Sequence, residues 1–279
     1  MNSPSASNER AKLLWNKKAI GEHRSRHSKG SCEYFSDIRN YRYGYETPFI
    51  PRLFQFNTLR GKTVLEVGVG NGIDAVEIAK SGASYYGIDI VEHHIELTKK
   101  NFQCNHLLPP ILYLGDLLEI DIEKKFDVVY SFGVLHHIAH EEACLNKIRL
   151  LLGKGGRFCF AVYSKWSFFN AYLVLTWLTK NRMNSSLDGW RSHVSERSEL
   201  DLPVTIKIRS KQRIVELLNR CGFTVERYYK RGFVQRYLPL VGILLKPDGA
   251  TLNVLGALLG WYHIFICKKT CVDQLVARY

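Results

Sequence analysis

From Lys62 onward, apolar and polar positions alternate in a regular rhythm. TVLEVG (63–68) is an apolar run ended by glycine and predicts a strand. Ile73 to Lys80 carries its apolar residues at helical spacing, and ASYYGID (83–89) predicts the next strand. Glu92 to Phe102 predicts a helix, ILYLGD (111–116) a third strand and FDVVYSFG (126–133) a fourth. Glu141 to Leu152 predicts a helix closed by Gly153, and RFCFAVY (157–163) a fifth strand. Strands alternating with helices of this length imply βαβ units and a parallel sheet covered on both faces. After Tyr163 the rhythm breaks. WSFFNAYLVLTWLTK is a helix candidate within an insertion (164–209) that continues as a polar loop rich in Ser and Arg. Lys211 to Cys221 resumes a helix, and FTVERYY predicts a sixth strand. A second insertion (231–260) precedes WYHIFICKK, a seventh strand. The chain thus divides into an aromatic and basic lid segment (1–60), a core (61–163) and the second half of the sheet with cap insertions (164–279).

Composition narrows the class. Of 279 residues, 46% are hydrophobic and 23% charged, which fits a folded domain and excludes disordered, collagen-like and coiled-coil chains. The net charge of +13 is unevenly placed: residues 1–62 carry +7, residues 63–163 carry −4 and residues 164–279 carry +10. Basic flanks favour anionic partners such as phosphorylated metabolites, lipid head groups or nucleic acid. The seven cysteines include no CxxC pair and are odd in number, so inert thiols in a reducing cytoplasm are expected rather than a disulfide framework. Gly249 to Cys267 runs 19 residues without Lys, Arg, Asp or Glu, near membrane-spanning length. Asn253, His263 and three glycines argue against a span, and Gly260 separates a helix-like half from a strand-like half. A surface-facing or lipid-touching helix fits better than a span.

The sharpest motif is Glu66-Val67-Gly68-Val69-Gly70-Asn71-Gly72, between the first strand and the first helix of the rhythm. Glycines there permit a tight turn and the close approach of a ligand, and the helix that follows points its free N–H groups at it. Taken alone the motif is ambiguous. Gly70-x-Gly72-x-x-Ala75 also fits the dinucleotide fingerprint, and Asp89 at the end of the second strand suits a ribose in either case. Three further features separate the readings: Glu66 inside the motif, Asp116 after the third strand, and the paired histidines His136 and His137 after the fourth.

With these residues the sequence resembles the class I S-adenosylmethionine-dependent methyltransferases, with dense motifs over roughly residues 60–163. The resemblance implies a Rossmann-like α/β fold: a seven-stranded, mostly parallel sheet with an antiparallel last strand between the fifth and sixth, and helical lid insertions. It implies S-adenosyl-L-methionine as cofactor. Gly68, Gly70 and Gly72 would line the methionine moiety, with Glu66 on its amino group. Asp89 would take the ribose hydroxyls, Ile90 would pack on the adenine, and Asp116 and the backbone of Leu117 would read its edge. Phe132 would offer its carbonyl to the ammonium.

His136 and His137 sit at the carboxyl ends of the strands, where a base for an oxygen or nitrogen nucleophile is needed, though both also suit a packed helix start. No metal is expected: His136 and His140 have helical ligand spacing, but no carboxylate lies between them. The aromatic and basic additions suit a lidded pocket for a small methyl acceptor, anionic or lipophilic. The competing readings are an RNA methyltransferase using the basic flanks, against which no RNA-binding module or base-methylation motif is found, and an NAD(P)-binding oxidoreductase.

Overall fold

The computed structural model describes residues 4–17, 21–181, 184–200 and 203–270. Its strands are β1 (Thr63–Val67), β2 (Ser84–Asp89), β3 (Ile111–Leu114), β4 (Phe126–Phe132), β5 (Leu152–Tyr163), β6 (Phe223–Arg231) and β7 (Tyr262–Lys269). The α-helices are α1 (Pro4–Lys17), α2 (Cys32–Tyr41), α3 (Ile50–Leu53), α4 (Ile73–Lys80), α5 (Glu92–Cys104), α6 (Glu141–Leu151), α7 (Phe168–Thr176), α8 (Leu187–Glu196), α9 (Lys211–Arg220) and α10 (Ala250–Leu259).

The strands form one sheet in the order β3-β2-β1-β4-β5-β7-β6, with β7 antiparallel to both neighbours and the remaining pairs parallel. Strand alternation sorts the core onto two faces. Leu65, Phe158, Phe160 and Phe265 meet Leu145 and Ile148 of α6 and Ile214 and Leu218 of α9. Val64, Tyr130, Ala161 and Ile264 meet α4, α5 and the 49–59 segment. Glu66 shares the parity of Val64, so its carboxyl is turned to the α4 and α5 side. The chain winds outward from β1 to β3, then crosses to β4. The switch between β1 and β4 leaves a crevice at the carboxyl ends of these strands, which is where open α/β sheets place ligands.

Three features differ from the sequence expectation. β5 starts at Leu152, because Leu152 pairs with Phe126 before a glycine-rich bulge lets Arg157 resume beside Val128. The polar stretch before residue 209 contains α8. Ser186 caps it by accepting from the Gly189 amide at 3.0 Å, and its three apolar residues, Leu187, Trp190 and Val194, share one side at helical spacing within a polar sequence.

The third difference corrects the cysteine expectation. Cys32 and Cys104 are joined in a disulfide, because the lid segment folds back and lays α2 beside α5, with their Cα atoms 5.3 Å apart. Pairing across 72 residues leaves no local spacing signal. Cys144, Cys159, Cys221 and Cys267 are buried free thiols, and Cys271 lies outside the described residues.

The two insertions are joined through one buried cation. The Lys230 ammonium donates to the carbonyls of Trp166 and Leu258, and burial lowers its pKa. Among the described residues no helix is long and apolar enough to cross a membrane. The uncharged run splits at Gly260 into α10 and β7, where a Cβ would lie 2.4 Å from the Arg231 carbonyl oxygen.

Candidate functional site

A cavity of about 470 Å³ opens at the carboxyl ends of β1, β2 and β4. Glu66, Gly68, Gly70, Asp89, Ile90, Asp116, Leu117, Phe132 and His137 all line it. Gly72 and His136 do not. Gly72 instead opens α4 at φ +73°, over α5, where a Cβ would come 2.9 Å from Thr98 Oγ1.

Two carboxyl groups lie under the glycine loop, and their surroundings differ. Asp74 accepts from Arg42 Nε at 2.8 Å, from the Tyr43 hydroxyl at 2.5 Å and from the Tyr130 hydroxyl at 2.7 Å. Burial opposes its charge, but the Arg42 guanidinium and the hydroxyl donors prevail and hold its pKa below the usual carboxylate range. Glu66 is equally buried and accepts from the Tyr85 hydroxyl at 2.6 Å. Burial and the neighbouring Asp74 charge push its pKa well above the ordinary value. The carboxyl belonging to the glycine motif is therefore the one whose charge is left without a cation. An ammonium group entering the cavity would supply it.

Asp89 is positioned rather than buried away. Its carboxylate accepts from the amides of Gly70 and Val91, each at 3.0 Å, and meets His94 Nδ1 at 3.2 Å, while the residue still faces the cavity. A carboxylate fixed by backbone amides at the end of β2 is preorganised to accept from a diol. Asp116 holds the turn after β3 by accepting from the Leu118 amide at 2.9 Å.

The far end of the cavity is aromatic and basic. It draws on Trp15 of α1, on Arg24 and Tyr41, on Tyr163 and Phe169, on Arg236 and Tyr237, and on Trp261. Tyr163 stacks on Trp261 at 4.3 Å, and Arg24 lies over the Tyr41 ring at 3.9 Å.

The paired histidines lie between the two ends. The backbone of residues 203–209 runs beside their turn: the Lys207 amide donates to the His136 carbonyl at 2.9 Å, and the Lys207 ammonium ties to Glu141 at 3.1 Å. His137 Nδ1 donates to the Thr205 carbonyl at 2.7 Å, which fixes the tautomer and leaves the lone pair on Nε2. That nitrogen lies 3.9 Å from Glu196, whose other oxygen accepts from the Tyr163 hydroxyl at 2.8 Å. His136 stacks on Tyr163 at 3.8 Å with 1% of its surface exposed, and burial with its histidine neighbour holds its pKa well below the usual imidazole range. His140 precedes α6 and is exposed, away from this group.

Sequence reading did not single out Asp74, His94, Tyr163 or Glu196. Asp74 and His94 are hidden within amphipathic helices, and Glu196 ends a short helix set in a polar, Ser- and Arg-rich stretch. Only the crossing of distant elements brings them to the cavity.

Residues 59–220 match a family described as a methyltransferase domain. Among curated relatives, the ubiquinone biosynthesis O-methyltransferase of Coxiella burnetii (strain Dugway 5J108-111) is 29% identical over 125 residues, covering 42% of this chain and 49% of the relative. The protein of the same description from Neisseria meningitidis serogroup C (strain 053442) is 31% identical over 111 residues, covering 38% and 46%. The chain spans about half the length of the curated relatives it matches. Among solved structures, magnesium protoporphyrin IX methyltransferase from Synechocystis PCC 6803 with bound SAM aligns with a TM-score of 0.57 at 14% identity, over 97% of this chain and 100% of that one. The Burkholderia thailandensis 1,6-didemethyltoxoflavin-N1-methyltransferase aligns with a TM-score of 0.53 at 15% identity, over 97% and 92%. These structural likenesses show the fold.

Proposed function

This chain belongs to the S-adenosylmethionine-dependent methyltransferase family, and from that premise we propose that it methylates a hydroxyl group of a small, lipophilic acceptor. The observation that carries the reading is the continuity of one cavity, from a carboxylate-lined end to an aromatic and basic end, with His137 between them.

Glu66 would receive the ammonium of the cofactor, with the Phe132 carbonyl. Asp89 would accept from the ribose hydroxyls, Ile90 would pack on the adenine, and Asp116 with the Leu117 amide would read its edge. Gly68 and Gly70 would let the methionine chain pass close to the backbone. When bound, S-adenosylmethionine supplies an electrophilic methyl group on a sulfonium sulfur. The aromatic walls would hold the acceptor and exclude water, and His137 Nε2 would take the acceptor's proton. A concave cavity of this size supports a small molecule over a nucleic acid.

A lipophilic acceptor is supported by the outer surface of the insertions. Trp166 (66% exposed), Leu240 (94%), Ile243 (85%) and Leu258 (65%) are large apolar side chains left in solvent, with Lys165 and Lys246 exposed among them. Exposed apolar residues rimmed by lysines suit contact with an anionic lipid surface from which an acceptor partitions into the cavity.

The test is methyl transfer from labelled S-adenosylmethionine to a panel of hydroxylated aromatics with and without alkyl tails, presented in vesicles. The expected result is a mass gain of one methyl on oxygen, favouring the tailed compounds. Transfer confined to amines, or to RNA, would overturn the acceptor assignment.

A further inference from the structure

The geometry points to a divalent transition-metal site formed by His136, His137 and Glu196 at the junction of the two ends of the cavity. The inference deepens the hydroxyl-acceptor reading and rests on it for its catalytic meaning, though the binding itself does not.

One ligand atom from each of the three residues lies within 4.8 Å of the others, the group of this kind found among the described residues. Three donors at that spacing share a point about 2.8 Å from each, so side-chain shifts of under about 1 Å give ordinary metal–nitrogen lengths of roughly 2.0–2.1 Å. His136 is the independent observation. Its side chain is almost wholly buried, yet neither ring nitrogen has a hydrogen-bond partner. A buried imidazole with no partner at either nitrogen is costly unless something else occupies one of them.

His137 and Glu196 are each held by an outer partner, as metal ligands are elsewhere. His137 Nδ1 is held by the Thr205 carbonyl at 2.7 Å, which aims the Nε2 lone pair at Glu196. Glu196 is fixed by the Tyr163 hydroxyl at 2.8 Å on its other oxygen. Two imidazoles and one carboxylate select zinc, iron(II), cobalt or manganese over magnesium and calcium, which prefer all-oxygen sites. His137 and Glu196 line the cavity and His136 does not, so the ion's remaining positions face the acceptor.

An acceptor hydroxyl bound there would lose its proton to water more readily. Its oxygen would then form the bond to the methyl carbon as the carbon–sulfur bond breaks, with the electron pair left on sulfur. In the metal-bound protein His137 is therefore a ligand, and it serves as the base when the ion is removed. This departs from the expectation, on sequence, that the chain holds no metal, because the carboxylate comes from 59 positions beyond His137.

The full-length protein, stripped with a chelator, would be titrated with cobalt(II) and followed by visible absorption and calorimetry. The expected result is saturation at a single equivalent with tetrahedral or five-coordinate d–d bands. Glu196→Gln should weaken binding by roughly 10- to 100-fold, and His136→Ala should abolish the bands. If His136→Ala fails to fold, Glu196→Gln decides alone. Absence of saturable binding, or equal binding by wild type and Glu196→Gln, would overturn the site. S-adenosylmethionine calorimetry on the stripped protein separates the two proposals: cofactor binding without cobalt binding would remove the metal and leave the methyltransferase reading standing.

Discussion

The end of the cavity bounded by Glu66, Asp89 and Asp116 takes its polar groups from one continuous stretch of sequence, each at or just beyond the end of a successive strand. The end bounded by Trp15, Tyr163, Tyr237 and Trp261 is assembled from segments more than 200 residues apart. In the first, spacing along the chain is spacing in the site, because strand ends of a parallel sheet lie side by side. In the second, loops and inserted helices distant in sequence converge through the tertiary fold. The lesson is a division of labour. On the proposed reading, a contiguous motif builds the cofactor end, which is the same for every acceptor, and dispersed additions build the end that selects one.

Variants should separate the two ends, and the largest effect is expected at their junction. In the metal-free protein, His137→Ala should lower single-turnover methyl transfer by about 10²–10⁴-fold, the usual weight of a general base, while calorimetry finds cofactor affinity nearly unchanged. Asp89→Ala should do the reverse in binding, weakening S-adenosylmethionine and S-adenosylhomocysteine alike by roughly 30- to 1000-fold, equivalent to about 2–4 kcal/mol.

Acid should loosen the acceptor end. His263 accepts from the Tyr228 hydroxyl at 2.8 Å and donates to the Arg209 carbonyl at 3.2 Å, so it anchors the segment that carries Thr205 and Lys207. Burial lowers its pKa to about 4. The unfolded chain takes up this proton first, so stability is lost as pH falls below the ordinary value near 6.5 and the loss is complete below about 4. A full shift of that size is worth about 3 kcal/mol, to be read from denaturant midpoints of wild type and His263→Gln between pH 7 and pH 4.

Glu66→Gln should act in two directions at once. Cofactor affinity should fall about 10- to 100-fold, while the cofactor-free protein melts higher, because a buried carboxyl lacking a cation is replaced by a neutral amide. Burial and the Asp74 charge also favour the protonated form of the Glu66 carboxyl in the free protein. Wild-type affinity for the cationic cofactor should therefore rise with pH as that proton leaves, and the rise should be absent in Glu66→Gln. The smallest effect is expected for Tyr237→Ala, which removes a ring 5.0 Å from Phe168. It should raise the acceptor's KM about 2- to 10-fold without altering cofactor affinity.

How far the sequence was legible follows the same division. The helix Ile73–Lys80 and the antiparallel insertion of WYHIFICKK were readable, one from apolar spacing and the other from the family resemblance. Glu66 and Asp89 were readable as acids at strand ends. Helix α8 was not, because its three apolar residues, Leu187, Trp190 and Val194, are scattered through a polar stretch, and Glu196 was lost with it. The Cys32–Cys104 pair and the Arg42–Asp74 ion pair were unreadable for a different reason, since each joins the lid segment to a core helix and depends on how the lid folds back.

The most direct test is calorimetric titration of S-adenosylmethionine and S-adenosylhomocysteine, with NAD and NADP as controls, into wild type, Asp89→Ala and His137→Ala. Micromolar binding of the sulfonium and its product by wild type and His137→Ala, lost in Asp89→Ala, is the result this account predicts. Binding of a nicotinamide cofactor, or undiminished S-adenosylmethionine binding by Asp89→Ala, would contradict it.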